Sequence, residues 1–358
     1  MESRLDLPFA GLVTFLRAPA CSDLSTLDAD IAVLGVPSDE GTGWLPGARL
    51  GPRRLREMSM RFAGGADQPH PGFWEIDEDR RYLDYELAEG RIVDCGDVDV
   101  IYTRLDTTWA NTTAAVRTVL DRGALPVILG GDHGITAPVV HAYSEPLTVV
   151  HFDAHVDYQP FVHGVRHSHG NPMRVVNALP HVDKIIQVGV RSFRTHQDDV
   201  TDSRADGNHV LTVRNVRTNG ADAVLDLLDP SRPVYISIDI DVLDLPLVPG
   251  TSAPEPSGFT YDELRDLLVA VAQNNEVIGL DLVEVNPMID HANQATSFLG
   301  VQLLVELLAR AVEHPGYRRR HPRIADEPEP LIGAPPGHQE MSPGRSPSSN
   351  GRGDAGKP

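Results

Sequence analysis

Three short apolar runs each break off in a burst of aspartate and histidine. They are PVILGGDH, ending at His133, LTVVHFDAHVD, ending at Asp157, and VYISIDIDVLD, ending at Asp244. A strand that is apolar on both of its alternating faces leaves no side for water, so it must lie in a parallel sheet covered by helices on both surfaces. Runs of this kind recur at Ile31–Val36, Arg91–Cys95, Leu125–Leu129, Leu147–Phe152, Lys184–Val190, Val210–Val213, Val234–Ile240 and Val277–Val285. Helical stretches separate them. Gly51–Phe62 carries proline in its first turn, Thr107–Arg122 has no proline, Thr260–Asn274 opens on a capping box (TYDE), and Ser297–Glu313 is amphipathic. The β-α-β-α order predicts an α/β class chain, one doubly wound domain over residues 1–320.

From 321 to 358 the chain is rich in Pro, Ser and Gly and has no Val, Phe, Trp or Tyr. Such a segment buries too little apolar surface to offset its ordering entropy, so a disordered tail is predicted, and its Arg352-Gly353-Asp354 triplet is read as chance. The net charge of −20 disfavours nucleic-acid and membrane partners, since both present anionic surfaces. Cys21 and Cys95 alone exclude a disulfide scaffold and a cysteine-built zinc site. With no basic leader and no long uncharged apolar run, a cytoplasmic location is expected.

The Asp/His bursts fall at strand ends, where open α/β sheets bind ligands. In an extended segment i, i+2 and i+4 share a face, which predicts that Asp153, His155 and Asp157 point into one site, and Asp239 and Asp241 likewise. Four carboxylates in an apolar setting require cations, and two divalent ions balance Asp153, Asp157, Asp239 and Asp241. An oxygen-rich set with the imidazoles of His133 and His155 and no thiolate suits manganese better than zinc.

The blocks GGDHG, HFDAHVD, SIDIDVLD, PGTSAPEPSG and GLDLVEVNP, with PGARLGPRRLR upstream, resemble the ureohydrolases (arginases, agmatinases and their relatives), and the agmatinase-like branch in particular. The resemblance covers about Ile31 to Leu308. It implies a three-layer α/β/α fold with a central, mostly parallel eight-stranded sheet (an arginase-like fold) and two Mn²⁺ per subunit. By matching motif, one ion falls to His133, Asp153, Asp157 and Asp239, the other to Asp153, His155, Asp239 and Asp241. Glu284 matches the glutamate that pairs with the guanidinium, and His169 the proton shuttle, with His163 and His167 as neighbours. Hydrolysis of a linear guanidino compound to urea and an amine is implied, agmatine to putrescine first, in a homotrimer or homohexamer.

For the substrate's other end, Tyr158 and Phe161 are candidates to meet an ammonium, and Arg166 to meet a carboxylate. The alternatives are a guanidino-acid amidinohydrolase of the guanidinobutyrase or proclavaminate type, a non-catalytic metal-binding member, and a two-metal phosphoesterase. The last lacks basic residues placed for phosphate. Gly134 stands where the family has serine, Leu245 precedes Pro246, and Ser252-Ala253 interrupt the usual GTGTP; none of these removes a ligand.

Overall fold

The computed structural model describes residues 11–62 and 70–323. The chain divides after Pro322, the first unit being Met1–Pro322. The predicted tail lies, from residue 324 on, outside the described residues.

Among the described residues ten strands run in chain order as β1 Ile31–Val36, β2 Phe73–Glu75, β3 Arg80–Tyr82, β4 Ile92–Asp97, β5 Leu125–Gly130, β6 Leu147–Phe152, β7 Val182–Val190, β8 His209–Thr212, β9 Val234–Asp239 and β10 Val277–Val283. The helices are α1 Gly51–Ser59, α2 Asp84–Ala88, α3 Leu105–Asp121, α4 Thr136–Val140, α5 Pro172–Asn177, α6 Gln197–Ala205, α7 Val213–Asn219, α8 Asp222–Leu225, α9 Tyr261–Asn274, α10 Ala295–Ala311 and α11 Pro315–Arg320. Eight strands form one sheet in the order β4-β1-β5-β10-β9-β6-β7-β8, and every pairing within it is parallel. The sheet is thus wholly rather than mostly parallel, and an antiparallel pair sits apart from it as the small β2–β3 hairpin.

Period-two alternation explains why both faces are covered. On β9, Val234, Ile236 and Ile238 join one core with Leu55 of α1, Leu264 of α9 and Leu304 of α10. Tyr235 turns the other way, into a second core with Val116 of α3, Val139 of α4 and Met173 of α5. Each fully buried Val or Leu in these layers removes enough apolar surface to favour folding by roughly 1.5–3 kcal/mol. The predicted capping box forms: Glu263 N donates to Thr260 Oγ1 at 3.2 Å, and Thr260 N donates to Glu263 Oε2 at 2.8 Å.

Sheet order positions the chemistry. The four central neighbours β5, β10, β9 and β6 are remote in sequence, yet their carboxyl ends stand side by side. Each delivers one of the motif blocks. None of the described helices is long and apolar enough to cross a membrane.

Candidate metal centre

Beyond β5 the chain passes Gly131, where a Cβ would stand 1.8 Å from Ser38 O, so only glycine lets the loop after β1 come so close. Asp132 then caps a one-turn helix at His133–Ile135 by accepting from Gly134 N at 3.0 Å. Its other oxygen accepts from Gly41 N at 2.8 Å. The turn drives His133 fully into the interior.

Hydrogen-bond logic fixes the His133 ring. Ser237 donates its hydroxyl proton to Asp281 Oδ1 at 2.7 Å, so at 3.0 Å it is free only to accept from His133 Nε2. That leaves the Nδ1 lone pair aimed at Asp153 Oδ2 (3.1 Å), Asp157 Oδ2 (3.1 Å) and Asp239 Oδ2 (3.2 Å). Nδ1 is buried without a hydrogen-bond partner among the described residues. An orphaned lone pair facing three carboxylates is a place for a cation.

A second group adjoins it. His155 Nδ1 lies 3.2 Å from both Asp153 Oδ1 and Asp241 Oδ2. Asp153 thus offers one oxygen to each group. Asp239 meets His133 directly, and its Oδ1 accepts from Asp241 N at 2.9 Å.

The convergence is real, but its cause differs from the expected one. β6 stops at Phe152, and Asp153, His155 and Asp157 meet through an irregular bend with Asp157 in the left-handed region at φ 47°. β9 stops at Asp239, and a one-turn helix at Ile240–Val242 carries Asp241. Turns rather than a shared strand face bring the ligand atoms together. Arg191 braces these turns: its guanidinium donates to the carbonyls of Gly189, Asp241, Val242, Leu243, Glu255 and Pro256 at 2.7–3.4 Å.

Electrostatics agree with a cation site. Among the described residues no lysine or arginine side chain hydrogen-bonds to the carboxylates of Asp153, Asp157, Asp239 or Asp241. Burial, then Asp241 and Asp153, hold the Asp239 carboxyl well above its usual range. Burial opposes charge on His133, yet Asp153, Asp157 and Asp239 outweigh it and raise that ring, so without a metal ion a proton is drawn to the same Nδ1 position that a cation would take.

Glu284 follows β10 with φ 62°. Its Oε1 accepts from His133 N at 2.9 Å and lies 3.4 Å from His169 Nδ1, while Oε2 accepts from Ser252 Oγ at 3.3 Å. Burial disfavours the charged His169 ring, but Glu284, with Asp157 and Asp132, raises it to about 9. Both line a cavity of about 300 Å³ together with His155, Asp157, Asp239 and Asp241. The neighbouring histidines face elsewhere: His167 packs at a tilt against Trp109, ring centroids 3.8 Å apart, and meets Asp106, and His163 is exposed.

Two expected substrate contacts are not brought to the cavity. Tyr158 is buried with its hydroxyl donating to Asp206 at 2.6 Å, and Arg166 is exposed with its guanidinium over the Phe161 ring at 5.0 Å. Arg194 lines the wall instead, donating to Glu255 Oε1 through Nε at 3.1 Å and Nη2 at 2.8 Å.

Sequence reasoning also missed His151. Gln187 Nε2 lies 3.5 Å from its Nδ1, so Nε2–H donates to Asp153 Oδ2 at 2.8 Å. His151 therefore orients Asp153 rather than offering it a rival lone pair. A histidine inside a wholly apolar strand, as in LTVVHF, is the signal that could have found it.

A model of the Arginase family matches residues 29–309. The chain is 33% identical over 318 residues to the proclavaminate amidinohydrolase of Streptomyces clavuligerus, covering 86% of this chain and 96% of that one. It is 32% identical to an agmatinase of Bacillus anthracis (84% and 98% covered) and 32% identical to the human mitochondrial guanidino acid hydrolase (83% and 82%). Among solved structures, the Streptomyces clavuligerus proclavaminate amidino hydrolase superposes with a TM-score of 0.73 at 31% identity, over 85% of this chain and 98% of that one. A hypothetical agmatinase from Burkholderia thailandensis gives 0.71 at 28%, over 87% and 93%.

Proposed function

The chain belongs to the arginase family, as an amidinohydrolase acting on C–N bonds of guanidino compounds, and from that premise we propose that it is a manganese enzyme releasing urea from a linear guanidine, agmatine first. The observation that carries this reading is the orphaned His133 Nδ1 facing Asp153, Asp157 and Asp239, with His155 and Asp241 adjoining. The donor set fits hard divalent ions: carboxylate oxygens and two imidazoles, fully buried but for His155 and Asp157, with no thiol. His133, Asp153, Asp157 and Asp239 would hold one ion, and Asp153, His155, Asp239 and Asp241 the other. Bound there, the pair supplies the positive charge that neutralises the carboxylates and acidifies a water molecule enough for attack near neutral pH.

The remaining steps fall to the protein's own groups. A guanidinium keeps its proton up to a pKa of roughly 12.5–13.8, so the site must bind a delocalised cation and hold its carbon still. Glu284 is buried and ionised, its pKa below the usual range because His169 and the His133 amide outweigh its burial. Its two oxygens match the fork of a guanidinium. As that cation settles on Glu284, it weakens the carboxylate's hold on His169, whose proton is then freer to pass to the departing amine nitrogen.

We further propose a cytoplasmic homotrimer or homohexamer, which light scattering of the purified protein tests. The reaction itself is tested by urea formation from agmatine. Activity should vanish on chelation and return with Mn²⁺; a manganese-loaded protein that forms no urea from agmatine, 4-guanidinobutyrate or arginine would falsify the reading.

A further inference from the structure

The rim of the cavity past β7 carries a second, smaller charge problem. α6 begins there, and Asp199 in its first turn lines the cavity while being only 6% exposed. No hydrogen bond reaches its carboxylate from the described residues. Arg174 acts on it only through space, because its Nε serves Tyr158 O and Gln159 O at 3.0 Å each and its Nη2 serves Asp202 at 2.7 Å. The exposed His196 lowers the Asp199 pKa through space more than Arg174 does. The partial charge at the start of α6 offsets some of the cost, but a largely buried carboxylate without a donor remains costly. Burial accordingly lifts its pKa.

Other charges on this wall are already matched. Arg194 is taken up by Glu255, and Glu255 also accepts from Ser192 Oγ at 2.7 Å. Apart from the candidate ligands, Asp199 is the lining carboxylate to which no described residue donates a hydrogen bond, and Asp198 and Asp202 beside it deepen the negative field.

Resting on the amidinohydrolase reading, we propose that Asp199 selects the substrate's tail by binding a primary ammonium, so that the preferred substrate is a linear guanidine ending in an amine. An ammonium brings three N–H donors to a carboxylate that has none. A methyl-ended tail leaves the carboxylate unmet, and a carboxylate-ended tail adds a further negative charge. Discrimination therefore acts against both.

The test compares kcat/KM of the manganese-loaded enzyme for agmatine, the uncharged isostere pentylguanidine and 4-guanidinobutyrate. Wild type should prefer agmatine over pentylguanidine by about 10- to 100-fold, the worth of one charge-assisted contact. Asp199→Asn should collapse that ratio through KM, and Asp199→Glu should retain it. If the Asn variant does not accumulate, Asp199→Ser carries the same expectation. A ratio that survives in the Asn or Ser variant overturns the assignment, as does a wild type preferring 4-guanidinobutyrate, which would give the tail to Arg194. Absence of urea from all three guanidines defeats the underlying reaction instead.

Discussion

Asp94 on β4 and Asp239 at the end of β9 are each 2% exposed, and the chain treats them in opposite ways. Asp94 receives an internal cation: Arg56 Nε donates to both its oxygens at 2.8 and 3.1 Å, and Phe15 N and Gly96 N add bonds at 2.7 and 2.9 Å. Asp239 receives no arginine or lysine: it has the Asp241 amide, His133 and two like-charged neighbours. The first arrangement is closed, with its carboxylate answered by the protein itself. The second has no arginine or lysine of its own and is left open to a cation from outside. A buried carboxylate without its own arginine is thus a better marker of chemistry than burial alone.

Three perturbations separate the two cases. Asp239→Asn should lose metal and urea release by more than the roughly 100-fold that loss of a supporting contact costs. In the metal-free state the same change should raise Tm. Asp239 titrates above its unfolded value, so its charge costs stability once the pH exceeds the unfolded pKa, and removing that charge relieves the cost. Two metals per chain in the variant, or a lower metal-free Tm, would contradict the open arrangement.

Arg56→Met should do the reverse, destabilising the fold by about 3–5 kcal/mol because a buried carboxylate loses its counter-ion. Urea release per folded, metal-loaded chain should persist. Denaturant titration checks the first expectation, and adding Asp94→Asn to Arg56→Met should recover part of the loss. Smallest is Glu263→Gln at the capping box of α9, expected to cost under about 1 kcal/mol because the residue and its Arg217 partner lie partly exposed at the surface, where solvent screens the pair. Arg217 chiefly, with the Thr260 bonds, outweighs desolvation and holds Glu263 at about 2, below its ordinary 4.5. Its contribution is therefore complete above pH 4.5 and lost as the pH falls through 2. Acid unfolding of wild type and variant should converge there.

All eight runs singled out in the sequence fall on strands of the eight-stranded sheet, because strands buried on both faces announce themselves by apolarity alone. Short polar elements were not legible. The β2–β3 hairpin has three residues per strand, and α6 reads QDDVTDSRA, with no apolar stripe to signal a helix. The candidate metal-centre residues were legible as a cluster because so many carboxylates so close together have few other uses. Their geometry was not, since it depends on the left-handed turn at Asp157 and the turn after Asp239. Tyr158 and Arg166 misled because proximity in the chain says nothing about which side of a loop faces the cavity. Asp199 and Arg194 come from a separate segment beyond β7, and only the sheet order brings it near.

Backbone oxygens neither titrate nor bind chelators, so the frame of six carbonyls that Arg191 gathers around the Asp241 turn outlasts removal of the ions. Demetallation then empties a rigid socket instead of unravelling it. Reloading should follow the rate at which ions enter, first order in free Mn²⁺, with no slow refolding phase.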